Sequence, residues 1–163
     1  MTSAGKSSKF TRSNVEVDQS GKIERTQVDT VLAFSDGQSY AIRIPAAVKR
    51  RALSFLRQKP RRSGNKKVVY AHLFAAALYL LLRAHLNAVD FITIDTEYTG
   101  GEEDIRRILL PLIRRVDPQY SSARIAFAQV GKKSPAHILA LEVYRGTRQA
   151  NHVVAEQELL ALL

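Results

Sequence analysis

The residues of this sequence with the widest chemical reach are carboxylates that fall at the ends of apolar segments. Asp95 closes the run Val89-Asp90-Phe91-Ile92-Thr93-Ile94, and in a sheet covered by helices ligands sit beyond the carboxyl ends of the strands. Carboxylates gathered there suit metal-dependent phosphodiester hydrolysis, because divalent ions held by them stabilise the attacking and leaving oxygens. Such a substrate also needs cations. Lys49, Arg50, Arg51, Arg57, Lys59, Arg61, Arg62, Lys66 and Lys67 supply them, and no acid occurs between Asp36 and Asp90. A solvated helix face accounts for part of this cluster, but its density without neutralising acids favours contact with backbone phosphates. Other chemistries are excluded by residue type. The chain has no cysteine, its four histidines are scattered, and it carries no P-loop, dinucleotide glycine pattern, zinc-protease motif or hydrolase nucleophile elbow.

Bulk properties agree with a polyanionic partner. The chain has 163 residues, with 25 Lys and Arg against 15 Asp and Glu, a formal net charge of +10 and a pI near 10.1. Length and a 45% hydrophobic content predict one soluble domain with a real core. The longest apolar run, Val68 to Leu82, contains His72 and is flanked by Lys66, Lys67 and Arg83; a membrane span needs roughly 20 apolar residues, so a buried helix and no membrane partner are expected. Residues 1–13 are polar and basic without an apolar stretch, and predict a disordered basic arm on a cytoplasmic protein.

The elements that must position these residues begin with a three-stranded meander over residues 14–44, turned by Gln19 to Lys22 and by Asp36-Gly37. Pro45 starts a short helix with a basic face, and residues 58–67 form a loop. A buried helix over 69–86, a strand over 89–94 and an amphipathic helix over 102–116, kinked at Pro111, follow. Residues 124–130 and 137–144 read as two strands joined by Gly131-Lys132-Lys133-Ser134-Pro135, and a final helix from Val153 reads as capped by Asn151. This order predicts an α/β domain, a mixed sheet with helices on both faces.

Several strings in that order resemble the ribonuclease H-like superfamily. Val17-Asp18-Gln19-Ser20 is similar to the family's opening Asp-x-Ser at the end of the first strand. Ala71 to Leu78 resembles its first core helix, and Thr93-Ile94-Asp95-Thr96-Glu97-Tyr98 its fourth strand with an aromatic three residues after the aspartate. Gly146 and His152-Val153-Val154-Ala155-Glu156 look like the loop and final helix that carry its last acid. The resemblance covers most of residues 14–163, with residues 46–67 as a basic helix-loop insertion. It implies catalytic, metal-binding acids at Asp18, Asp95 and Glu156, and Mg or Mn as cofactor. Where the family has a glutamate on its core helix this chain has His72, so a metal site there would use His72, a softer ion such as Mn, or Glu97.

Each residue has a plainer account. Asp18 fits a polar turn with Gly21, His72 a packing or capping role in a buried helix, and Glu156 a solvated helix face; Asp36 is the alternative to Asp18. Asp95 to Gly100 is also similar to the first motif of proofreading-type exonucleases, but no aspartate follows Asp117, and that family needs downstream aspartates. The expectation is therefore a nucleic-acid-binding protein acting as a metal-dependent nuclease. A catalytically inactive module that binds nucleic acid or protein partners in a larger assembly, and an RNA-binding scaffold, are the alternatives.

Overall fold

Strand alternation decides what each face of the sheet covers. In β1 (Ser13–Ser20), β2 (Thr30–Asp36) and β3 (Gln38–Ile44), residues Val15, Val17, Leu32, Phe34, Ile42 and Ile44 join the larger core, whereas Val31, Ala33 and Ala41 face a smaller one. The computed structural model describes residues 12–60, 65–96 and 101–163. The meander is antiparallel throughout. Gly37 takes φ +68° at its second turn, the left-handed conformation expected of Asp36-Gly37.

Next come α1 (Ala46–Arg57), α2 (Lys66–Leu82), β4 (Val89–Asp95), α3 (Glu102–Ile113), β5 (Ile125–Ala128), α4 (Pro135–Arg145), β6 (His152–Val153) and α5 (Glu156–Leu160). The strand order is β5-β4-β1-β2-β3-β6, with β4 parallel to β1, β5 parallel to β4 and β6 parallel to β3. This is a mixed α/β sheet with helices on both faces. α2 is buried on nearly every side, as its all-apolar sequence requires, because the sheet, α1, α3 and α5 surround it. α4 covers the other face over β1, β2 and β3 through Leu139, Ala140 and Val143.

Four expectations are corrected. Residues 137–144 are helix α4, not a strand: Ala136, Leu139, Ala140 and Val143 are buried at helical spacing, Ser134 accepts a hydrogen bond from the Ala136 amide at 3.3 Å, Pro135 occupies the first turn and Gly146 ends the helix at φ +79°. α3 ends at Ile113 with Pro111 in its last turn, and beyond it the Arg115 and Val116 amides bond three residues back, to Leu112 and Ile113, which tightens the chain out of the α-helix. Asn151 does not cap the last helix; its Oδ1 accepts from the Ala41 amide at 2.8 Å and its own amide donates to the Ala41 carbonyl at 2.9 Å, extending the sheet edge. Ser13 already belongs to β1, and the rest of the expected arm up to residue 11 lies outside the described residues.

Candidate functional site where β1 and β4 run side by side

Register brings two of the expected acids together. Val17 lies beside Ile94 in the parallel pair, so the next residues, Asp18 within β1 and Asp95 at the end of β4, lie side by side. Val17 and Ile94 both face the larger core, which turns Asp18 and Asp95 toward the face that α4 covers. Asp18 is 3% exposed. Its Oδ1 accepts from the Gln19 amide at 2.7 Å, and its Oδ2 accepts from His137 Nδ1 at 2.6 Å. Burial pushes the Asp18 carboxyl above its ordinary value; hydrogen bonds from His137 and Gln19 oppose the shift, and the charge of Asp95 adds to it. Asp95 Oδ1 accepts from the Val130 amide at 2.7 Å. One turn of α4 before His137, Ser134 donates to Glu16 Oε2 at 2.6 Å.

No known family, curated protein or solved structure matches the chain. The site's chemistry therefore rests on its own geometry. Asp18 with His137 forms a carboxylate–imidazole pair, in which the buried carboxylate orients the ring and leaves Nε2 of a part-exposed side chain able to take or give a proton. Asp95 adds a second carboxylate beside the first. Among the described residues no group of three His, Asp or Glu side chains is placed to hold a metal ion. Two adjacent carboxylates do suit Mg or Mn, since such ions are held by one or two protein carboxylates with substrate phosphates and water completing the shell.

The other expected site residues fall elsewhere. Glu156 starts α5, which packs on α1, and it pairs with Arg51 at 3.5 Å, at the opposite edge of the sheet from β4. The helix expected to carry the last acid is displaced: α4, not α5, lies over Asp18. His72 is buried within α2, whose sheet contacts are to β2 and β3 on the larger-core face. Glu97 lies outside the described residues. Asp36 sits at the far end of the meander, where it lines a cleft with Asn14, Glu16, Ser35, Thr93 and Pro135.

The cation cluster divides in the same way. Lys49 is fully buried, and its Nζ donates to the carbonyls of Lys22 at 3.3 Å and Arg25 at 2.7 Å and to Thr30 Oγ1 at 2.9 Å. It cannot reach a phosphate. Burial lowers its pKa to about 8 against the pull of Asp29 and Glu24. Arg50 binds the Thr26 carbonyl at 2.8 Å while remaining exposed, and Lys59 bonds the Leu163 carbonyl and lies 4.9 Å from the Phe55 ring centre. Arg57, Lys66 and Lys67 are exposed; Arg61 and Arg62 lie outside the described residues. His137 was hidden from the sequence reading by its β-branched and aromatic neighbours. The signal that finds it is Ser134-Pro135 at one end and Gly146 at the other.

Proposed function

We propose that this chain is a nucleic-acid-binding protein of ribonuclease H-like architecture that hydrolyses phosphodiester bonds with Mg or Mn at Asp18 and Asp95. The observation that carries the reading is the side-by-side placement of the two acids on parallel strands, Asp95 at the end of β4 and Asp18 near the end of β1, with His137 on the buried one. The strand order supports the architecture, since an antiparallel meander is continued from its first strand by two parallel strands. A divalent ion bound there supplies charge stabilisation to the attacking and leaving oxygens. Asp18 and Asp95 hold it, His137 Nε2 exchanges a proton with water or the leaving oxygen, and exposed Arg57, Lys66 and Lys67 contribute to backbone binding. No helix among the described residues is long and apolar enough to cross a membrane.

Purified protein should cleave single-stranded, duplex or hybrid oligonucleotides with Mg or Mn, and Asp95→Asn should abolish cleavage while binding in metal-free buffer persists. Cleavage that survives in Asp95→Asn contradicts the assignment. The second reading, a module that binds nucleic acid or protein partners without cleaving, is favoured by the enclosure of Asp18, whose two oxygens already accept hydrogen bonds from Gln19 and His137. It is selected if the unaltered protein binds tightly and cleaves nothing.

A further inference from the structure

We infer that the loop 129–134 between β5 and α4 grips the phosphodiester backbone of a nucleic acid at the rim of the acid pair, with Lys132 and Lys133 as its contacts. The inference deepens the nucleic-acid reading above and rests on it, but uses a surface outside residues 46–67.

Topology puts the loop there. β5 is the edge strand, α4 is seated over β1, β2 and β3, and β4 lies between them, so the connection must cross the end of β4. It is stitched down as it crosses. The Val130 amide donates to Asp95, the Ser134 amide donates to the Gly131 carbonyl at 2.9 Å, Ser134 Oγ donates to Glu16, and His137 meets Asp18. The buried Val130 side chain anchors one end. Lys132 and Lys133 thus project from a short segment fixed at both sides, and little backbone ordering entropy is left to lose on binding.

Their charge is unspent. Both are exposed, neither forms an ion pair or hydrogen bond among the described residues, and no acid occurs between Asp117 and Glu142. Other cations are engaged: Arg106 with Glu103, Arg107 with Asp104, Arg124 with Asp90, Arg83 with Glu158. A polyanion approaching Asp18 and Asp95 meets two like charges, and a cation pair on the adjoining loop offsets that repulsion where it is largest. Among the described residues no atom lies within 4 Å of where a Cβ on Gly131 would stand, so the loop surface beside the two lysines is uncovered there.

The test is fluorescence anisotropy of labelled oligothymidylate and oligouridylate in metal-free buffer across a salt series, together with a cleavage assay in Mg or Mn. Lys132→Ala/Lys133→Ala should make the slope of log affinity against log salt shallower by about 1.4, from about 0.7 per lost phosphate contact on a single strand. Lys132→Arg/Lys133→Arg should keep the slope. An unchanged slope in the alanine variant overturns the inference, and continued cleavage would leave the hydrolase reading standing. Binding that depends on both lysines without any cleavage by the unaltered protein upholds the loop and retires the hydrolase. Failure to bind either oligomer, with binding instead to an acidic peptide or anionic vesicles, overturns the inference.

Discussion

Lys49 and Asp18 are charged side chains held almost entirely out of water, at 0% and 3% exposure, and their surroundings differ in nearly every other respect. Around Lys49 the three protons of an ammonium meet three oxygens, two of them loop carbonyls, and together they close the turn between β1 and β2. Nothing is left over. Around Asp18 the neighbours include a second carboxylate, and one of its two hydrogen-bond partners is a part-exposed imidazole. A buried charge whose partners are complete and enclosed stabilises a fold, whereas a buried charge set beside a like charge with a path to solvent marks a site held for a cation or a proton.

The largest effect should separate the two in activity. Asp95→Asn is expected to remove measurable cleavage, a loss of at least about a thousandfold or about 4 kcal/mol of transition-state stabilisation, measured as single-turnover rates. Asp18→Asn should do the same to cleavage while leaving thermal stability unchanged or higher, because it relieves a buried like-charge contact. Lys49→Met reverses the pattern. It should lower stability by about 2–3 kcal/mol in denaturant titrations, since it leaves the Lys22 and Arg25 carbonyls without a donor, yet keep the salt slope of nucleic-acid binding.

The sequence shows why the two could be confused. Density of charge in residues 49–67 reads as one phosphate-binding surface, but the side on which each cation emerges depends on α1 packing against the β1–β2 turn, a contact between distant parts of the chain. Gly21, at φ +70°, is what allows that turn: a Cβ there would collide with the Asp29 carbonyl and the Tyr144 ring. Local signals were sufficient for the hairpin at Asp36-Gly37, for α3 with its three acids in the first turn, and for β4 ending at Asp95. They also sufficed for Asp95 as a strand-end acid, whereas Asp18 came from the resemblance and lies two residues before the end of β1. His137 lies in an eight-residue stretch, His-Ile-Leu-Ala-Leu-Glu-Val-Tyr, whose short apolar run with Ile, Val and Tyr reads as a strand, and only its caps and tertiary burial favour a helix. Glu156 came from the resemblance alone, which matches the last helix of the chain to the family's final helix, whereas the helix over Asp18 is α4 and Glu156 pairs with Arg51.

A pH series sharpens the contrast through opposite signs. The lowered pKa of Lys49, about 8 against 10.5, means the folded state sheds a proton that the unfolded state keeps, so this contribution to stability grows as pH rises from about 8 toward 10.5 and is lost as pH falls through 8. The slope approaches ~1.4 kcal/mol per pH unit. Tyr120, raised to about 12 by burial, acts oppositely above pH 10, so the clean window is pH 8–10, and Lys49→Met should flatten it. Asp18 has the reverse sense. Its raised pKa gives stability that is present below its ordinary value of 3.8 and lost as pH rises through the folded value, and Asp18→Asn should remove that acid-range decline.

The smallest effect concerns the cations that do reach solvent. Lys66→Ala/Lys67→Ala should reduce the salt slope by about 1.4, about 0.7 for each single-strand phosphate contact, without altering stability, because both side chains are exposed on the first turn of α2. An equal loss in Lys49→Met would erase the distinction between the two kinds of buried and exposed cation.

The most direct measurement is a titration of nitrogen-15-labelled protein with Mn²⁺, whose unpaired electrons broaden nearby amide signals. The account predicts that the amides of Gln19, Thr96, Val130 and His137 fade first, and that Asp95→Asn requires much more Mn²⁺ for the same loss. Broadening that begins elsewhere in the chain, or that is unchanged in Asp95→Asn, would contradict it.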